Sequence, residues 1–231
     1  MVLFWRLLLA HLIADFPLQT DAVFAVKKGR AWGVMLHSTL FWLTAILLAK
    51  PFLHIWAVWG GLVLLWLSHS VIDKAKLALV SSGRKDHLVY FLLDQLLHIG
   101  AVALVCLFLN RIPQVSAIAA SVLSIKIGIA YVVSVWVSPL LCFYTRTAFS
   151  SQKVDFQRQQ SVCWRVIGSA ERLLITAVAA AGGRLFIILP LVFFPRIGLS
   201  IFTRQSKFSR WELILGSTIA VAAGFWVRTL K

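Results

Sequence analysis

Apolar residues run along this chain in long, nearly unbroken stretches. They follow neither the alternation of a half-buried strand nor the one-sided stripe of a soluble surface helix. The stretches predict helical segments near 2–18, 33–49, 53–75, 87–109, 115–145, 165–181, 184–202 and 208–229. Most approach the length of about 17–25 residues that crosses a hydrocarbon core of roughly 30 Å. The expected fold is all-α, a polytopic transmembrane helix bundle of seven or eight membrane segments. The seventh is the exception. Gly182 and Gly183 precede it and Pro190 and Pro195 interrupt it, so a broken or interfacial segment is the alternative to a full crossing.

Composition agrees with the pattern. Of 231 residues 60% are hydrophobic and ten are Trp, which leaves no room for a soluble domain between the apolar runs. Residues 1–231 read as a single transmembrane domain. Its first part, 1–110, holds the motifs, 111–231 supplies supporting helices, and the polar stretch Ser150 to Gln160 reads as a cytoplasmic loop. Met1 to Phe16 lacks a small-residue cleavage site and reads as a first spanning helix rather than a removable signal. Cys106, Cys142 and Cys163 are too scattered for a disulfide framework or a thiolate zinc site.

Charge sets the orientation. The first, third, fifth and seventh connections hold fifteen basic residues, among them Lys27, Lys28, Arg30, Lys74, Lys76, Arg84, Lys85, Arg146, Lys153, Arg158, Arg165, Arg196, Arg204, Lys207 and Arg210. The opposite connections and termini hold Arg6, Lys50, Arg111, Arg184, Arg228 and Lys231. The bias places the amino terminus outside the cytoplasm. The net charge of +15 is dispersed among apolar spans, so the expected counter-charge is anionic lipid headgroups and not nucleic acid.

Against this background the buried-looking polar residues carry the chemistry. His11 and Asp15, His69 and Asp73, and Asp94 and His98 are each four residues apart, and the order inverts in the third pair. Residues four apart share a helix face about 6 Å apart along the axis. Segments running in opposite directions would then place Asp15, Asp73 and Asp94 toward one membrane face and His11, His69 and His98 deeper, with His37 at similar depth. An unpaired Asp at a helix centre costs roughly 2.5–3.5 kcal/mol even on insertion scales, so a compensating partner is expected. A divalent metal serves: zinc first, manganese or iron next, given mixed nitrogen and oxygen donors. The candidate ligands are His11, His37, His69, His98, Asp15, Asp73 and Asp94. One metal with outer carboxylates and two metals are both compatible with that tally. The plainer alternative is that each pair is a hydrogen bond holding helices together.

Asp15, Asp73, Asp94 and Glu171 are the candidate catalytic groups for proton transfer, and Lys74 and Lys76 the candidates to meet an anionic headgroup. Glu212 is a lesser candidate, balanced by pairing with Arg210. Gln95 adjoins Asp94 and is expected to contact another helix. No nucleophile elbow, zincin helix or phosphate-binding glycine loop occurs.

The segments HLIADFPLQTD (11–21), LHSTL (36–40), LSHSVIDKAKL (67–77) and FLLDQLLHI (91–99) resemble a bacterial membrane family known as domain of unknown function 3307. The likeness continues more faintly in GSAERLLI (168–175) and WELILGSTIA (211–220). It implies a polytopic inner-membrane protein whose shared motifs include His11, Asp15, His37, His69, Asp73, Asp94 and His98, and it supplies no reaction.

These readings point to a metal-dependent intramembrane hydrolase acting on a lipid-like ester, amide or phosphoester from the cytoplasmic side. The alternatives are a divalent-cation or proton-coupled transporter and a non-catalytic membrane scaffold. Partners are membrane lipids and a lipid-like or small-molecule substrate, with oligomeric state left open.

Overall fold

A computed structural model describes residues 1–30, 32–81, 87–149, 162–193, 198 and 212–230. The predicted polar loop at 150–160, together with Arg84, Lys85, Lys153, Arg158, Pro195, Arg196, Arg204, Lys207, Arg210 and the side chains of Cys163, Pro190 and Glu212, lies outside the described residues. Within them the fold is all-α, with no strand. The chain forms two compact units, Met1–Ile129 and Ala130–Lys231.

The first unit begins with α1 (Val2–Asp15), α2 (Asp21–Gly29), α3 (Gly33–Leu48), α4 (Trp56–Ser81) and α5 (Leu88–Leu109). A short α6 (Pro113–Ser116) follows, then a long helix α7 (Leu123–Phe149) that passes into the second unit and carries a wide π turn at Val133–Val137. Four helices close a ring: α1 packs on α3, α3 on α4, α4 on α5, and α5 back on α1. The core that joins them is apolar and small-sided, with Leu3, Leu7, Ala10, Phe41, Ala45, Val58, Leu62, Leu65, Val102, Val105 and Cys106 buried together. Along α1 the sequence passes from this core through His11 to Asp15, and along α4 from Leu65 through His69 to Asp73. Along α3 and α5 it runs the other way, from His37 to Phe41 and Ala45 and from Asp94 through His98 to Val102. Neighbours in the ring are therefore antiparallel, and every helix lays its polar residues at the same end of the core.

Helix α2 is absent from the predicted segments, yet its signals are local ones. The Thr20 hydroxyl caps the amide of Val23, Asp21 stands in the first turn, and Lys27 and Lys28 stand in the last. It packs on α3 so closely that a Cβ on Gly33 would collide with the Val26 carbonyl and lie 2.8 Å from Lys27 Cα.

The second unit contains the rest of α7, α8 (Val162–Ala181), a tight 3-10 segment (Gly183–Phe193) and α9 (Ser217–Arg228), entered through a π turn at Glu212–Gly216. Gly182 and Gly183 take positive φ angles of 69° and 65°, which ends α8 and turns the chain into the 3-10 segment. α8 and α9 touch at Gly224, where a Cβ would meet Ala179 and the Thr176 carbonyl.

Two of these helices, Leu88–Leu109 and Leu123–Phe149, are by length and composition able to cross a membrane. The expectation of seven or eight crossings is thus met only in coarser form. α1 has 14 residues and α3 has 16, or about 21 and 24 Å of rise, each short of a full hydrocarbon core. The apolar run at 2–18 ends early because Phe16 and Pro17 leave the helix, and the run at 184–202 begins as an 11-residue 3-10 segment.

Candidate functional site

The antiparallel ring brings all seven predicted ligands of the first unit into one buried cluster. His11, His37, His69, His98, Asp15, Asp73 and Asp94 are each less than a tenth exposed. The ring centroids of His69 and His98 are 4.2 Å apart, those of His11 and His98 5.0 Å, and those of His37 and His69 5.2 Å. The i, i+4 spacing works as expected: His11 Nδ1 is 3.8 Å from Asp15 Oδ1, His69 Nε2 is 3.5 Å from Asp73 Oδ2, and His98 Nδ1 is 3.7 Å from Asp94 Oδ1.

Contacts between helices are as close as those within them. His37 Nε2 reaches Asp15 Oδ1 at 3.2 Å and Asp73 Oδ2 at 3.7 Å, while His69 Nε2 lies 3.4 Å from Asp15 Oδ1. Three overlapping groups have ligand atoms within 4.8 Å of one another and can hold a metal ion: His11 with Asp15 and His69, His37 with His69 and Asp73, and Asp15 with Asp94 and His98.

The hydrogen-bond partners fix two of the imidazole tautomers. His98 Nδ1 is 2.8 Å from the Asp94 carbonyl oxygen, which can only accept, so Nδ1 carries the proton and Nε2 presents a lone pair. Gln95 turns its amide nitrogen toward Asp15 Oδ2 at 3.3 Å and Asp94 Oδ2 at 3.2 Å, so its oxygen faces His11 Nε2 at 3.2 Å and accepts from it. His11 Nδ1 therefore also bears a lone pair. Both bare nitrogens, His11 Nδ1 and His98 Nε2, are buried with no hydrogen-bond partner among the described residues, as are His37 Nδ1, His69 Nε2, Asp73 Oδ2 and Asp94 Oδ1. Such an imidazole, held by a hydrogen bond on one nitrogen and open on the other, has the arrangement of a metal ligand.

Two lysines neutralise part of the carboxylate charge. Lys27 of α2 is buried, with its ammonium 2.7 Å from Asp73 Oδ1 and donating to Gln19 Oε1 at 3.2 Å. Lys76 of α4 reaches Asp94 Oδ2 at 3.1 Å and keeps 23% of its side chain exposed. On sequence grounds Lys27 reads only as part of a basic connection. The missed signal is the Thr20 cap together with the helix periodicity that turns Val23 and Lys27 to one side. Lys76 meets an internal carboxylate, whereas Lys74 is exposed. Gln95 does contact another helix, as expected, and it touches its neighbour Asp94 as well.

On its apolar side the cluster is packed shut: Phe41, Leu65, Ala101 and Val102 lie against His11, His69, His98 and Ser68 and leave no room for a water molecule between them. Ser38 and Ser70 spend their hydroxyls on the backbone carbonyls of Val34 and Trp66, so neither is held as a nucleophile beside its neighbouring histidine. Glu171 belongs to the second unit, where it is buried on α8 beside the buried Arg172. His54 and His87 are exposed at the ends of α4 and α5 and stand outside the cluster.

No curated protein and no solved structure matches the chain. One family model matches more than half of its length, residues 3–144, which include every member of the cluster. On that match, and with the four motif segments folded into one site, the chain belongs to the family described as protein of unknown function DUF3307.

Proposed function

We propose that this chain is a multi-pass protein of a bacterial cytoplasmic membrane with its amino terminus outside the cytoplasm. Its first unit acts, in this reading, as a metal-dependent hydrolase on an ester, amide or phosphoester of a lipid-like substrate reached from the cytoplasmic leaflet. The membrane assignment is supported by an inverted polarity. On α5, Asp94 and His98 are buried, while Leu92, Leu93, Leu96, Leu97, Leu104 and Phe108 are 48–65% exposed. A helix in water turns such faces the other way.

The observation that carries the hydrolase reading is the burial of four imidazoles and three carboxylates at one level, with two imidazole tautomers set to leave a lone pair free. When bound there, a divalent cation, zinc first and manganese or iron next, supplies the Lewis acidity that activates water at neutral pH. The chain's own groups do the rest. His11, His37, His69 and His98 would hold the cation, Asp15, Asp73 and Asp94 would complete its coordination or move a proton, and Gln95 would keep the His11 ring and the Asp15 carboxylate in register. The apolar packing of Phe41, Leu65 and Val102 against the imidazoles excludes bulk water. No group of the second unit is required, so Glu171 has no assigned part.

Transport by the same residues is disfavoured by their layering. A path needs polar groups at successive depths, and below the histidines the ring is filled by Leu3, Leu7, Leu62 and Val105. The test uses purified full-length protein in lipid nanodiscs and a panel of fluorogenic lipid esters, amides and phosphodiesters. Turnover that is lost with chelator, restored by zinc or manganese and absent in His69→Ala supports the reading. Absence of turnover across the panel, with cation uptake into proteoliposomes that Asp73→Asn abolishes, overturns it in favour of a transporter.

A further inference from the structure

The cluster offers polar atoms and is closed off from water. His37 Nδ1, His69 Nε2, Asp73 Oδ2 and Asp94 Oδ1 have no hydrogen-bond partner among the described residues, every member is less than a tenth exposed, and the apolar side is packed shut. A cation or water molecule bound there has to enter from the polar end. Something at that end has to move first.

The ring helices are poor candidates. α1, α3, α4 and α5 share one apolar core, so displacing any of them disrupts close packing along its whole length. α2 is different. It gives that core no residue, and Lys27 is the one residue it buries. Val23 and Val26, which with Lys27 follow the spacing of one helix side, are half-buried. Its nine residues are fewer than the about 12–15 at which an isolated helix is even marginal in water, so α2 depends on what it docks against. Elements with few buried apolar contacts are the ones that open locally while the rest stays folded.

Its one deep contact falls on the site. Lys27 Nζ lies 2.7 Å from Asp73 Oδ1 and donates at 3.2 Å to Gln19 Oε1, in the segment that leads into α2. The other oxygen of the same carboxylate, Asp73 Oδ2, is 3.5 Å from His69 Nε2 and 3.7 Å from His37 Nε2. Lifting α2 off α3 therefore withdraws an ammonium from Asp73 and bares this edge of the cluster in one movement. Lys76, the second ammonium, belongs to the ring helix α4, is already 23% exposed and pairs with Asp94. A swing of its side chain is the competing route, and it leaves α2 in place.

We infer that α2 is a lid over the His37, His69 and Asp73 edge of the cluster, latched by Lys27 and opened by its release from α3. The inference deepens the metal-dependent reading above, and the lid's service to a bound cation rests on that reading.

The experiment measures how fast a thiol beneath α2 is reached, with no metal present. Full-length His37→Cys and, as a second probe, His69→Cys are treated in lipid nanodiscs with a small water-soluble methanethiosulfonate, and modification at residue 37 or 69 is followed by peptide mass spectrometry. Val23→Ala or Val26→Ala removes half-buried methyl groups from α2 and no group of the cluster, and should speed labelling of either thiol by about 3–10-fold. Lys76→Met should leave it unchanged. A thiol that is never modified, labelling indifferent to both valine substitutions, or labelling that Lys76→Met accelerates instead overturns the lid. Cobalt(II), added to the protein with its native histidines, then separates the lid from the site. A lid requires Val26→Ala to speed uptake and release of cobalt by the same factor, leaving affinity unchanged. Bound cobalt whose rates ignore Val26→Ala removes the lid and keeps the metal-dependent reading; thiols that respond to α2 in a protein that takes up no cobalt keep the lid and remove that reading.

Discussion

Replacing Lys27 by Met tests the electrostatics of the cluster from its least expected member. The substitution keeps the apolar stem and removes the ammonium that lies 2.7 Å from Asp73 Oδ1, in a pair whose side chains are 9% and 1% exposed. Removing one partner of a buried ion pair costs about 3–5 kcal/mol, because the remaining charge stays buried without compensation. At about 2–4 °C per kcal/mol for a chain of this size, the melting temperature should fall by about 6–20 °C. The double variant Lys27→Met/Asp73→Asn removes both charges and should recover most of that loss. Saturating zinc should also reduce the single variant's deficit, since the cation compensates Asp73 from its other oxygen. The assay is thermal unfolding in detergent followed by tryptophan emission, with and without metal. A single variant within about 0.5 kcal/mol of wild type, or a double variant as unstable as the single, would refute the reasoning.

Gln95→Leu strands the hydrogen-bonding partners on His11, Asp15 and Asp94 and should weaken metal binding by about 10–100-fold, measured by competition with a chromophoric chelator. Gly33→Ala cannot be fitted without moving α2 from α3, so it should lower stability in the same direction as Lys27→Met; an unchanged melting curve would show that the Val26 contact is not there. Lys76→Met should cost less than Lys27→Met, because the Lys76 side chain retains 23% exposure and water can replace part of the pairing. Metal affinity should fall as the pH drops below neutral, since protons compete for the imidazole nitrogens, and it should be fully present on the alkaline side; a titration of bound zinc against pH checks the sign.

Much of the site was legible in the sequence for a physical reason. In an apolar helix, polar residues four apart can only be there together, and the inverted order at Asp94 and His98 matches the antiparallel pairing of α4 and α5. The ring closure that brings His37 between Asp15 and Asp73 was not legible, because helix rotation depends on packing around Phe41 and Ala45 rather than on spacing. Lys27 was hidden by a rule of averages: positive residues between spans indicate orientation, and nothing in that rule identifies the one that folds inward. The predicted start of the fifth segment at 115 missed because Pro113 initiates the separate turn α6, so that α7 starts only at Leu123. Hydrophobicity marks the apolar core of α1 and α3 without registering that these helices have only 14 and 16 residues.

The most direct test of a single buried metal centre is elemental analysis of protein purified gently without chelator, alongside His69→Ala prepared in the same way. The account predicts one zinc-class ion per chain in the wild type and none in the variant. A wild-type protein that folds, keeps its cluster intact and carries no divalent metal after exposure to zinc would contradict it.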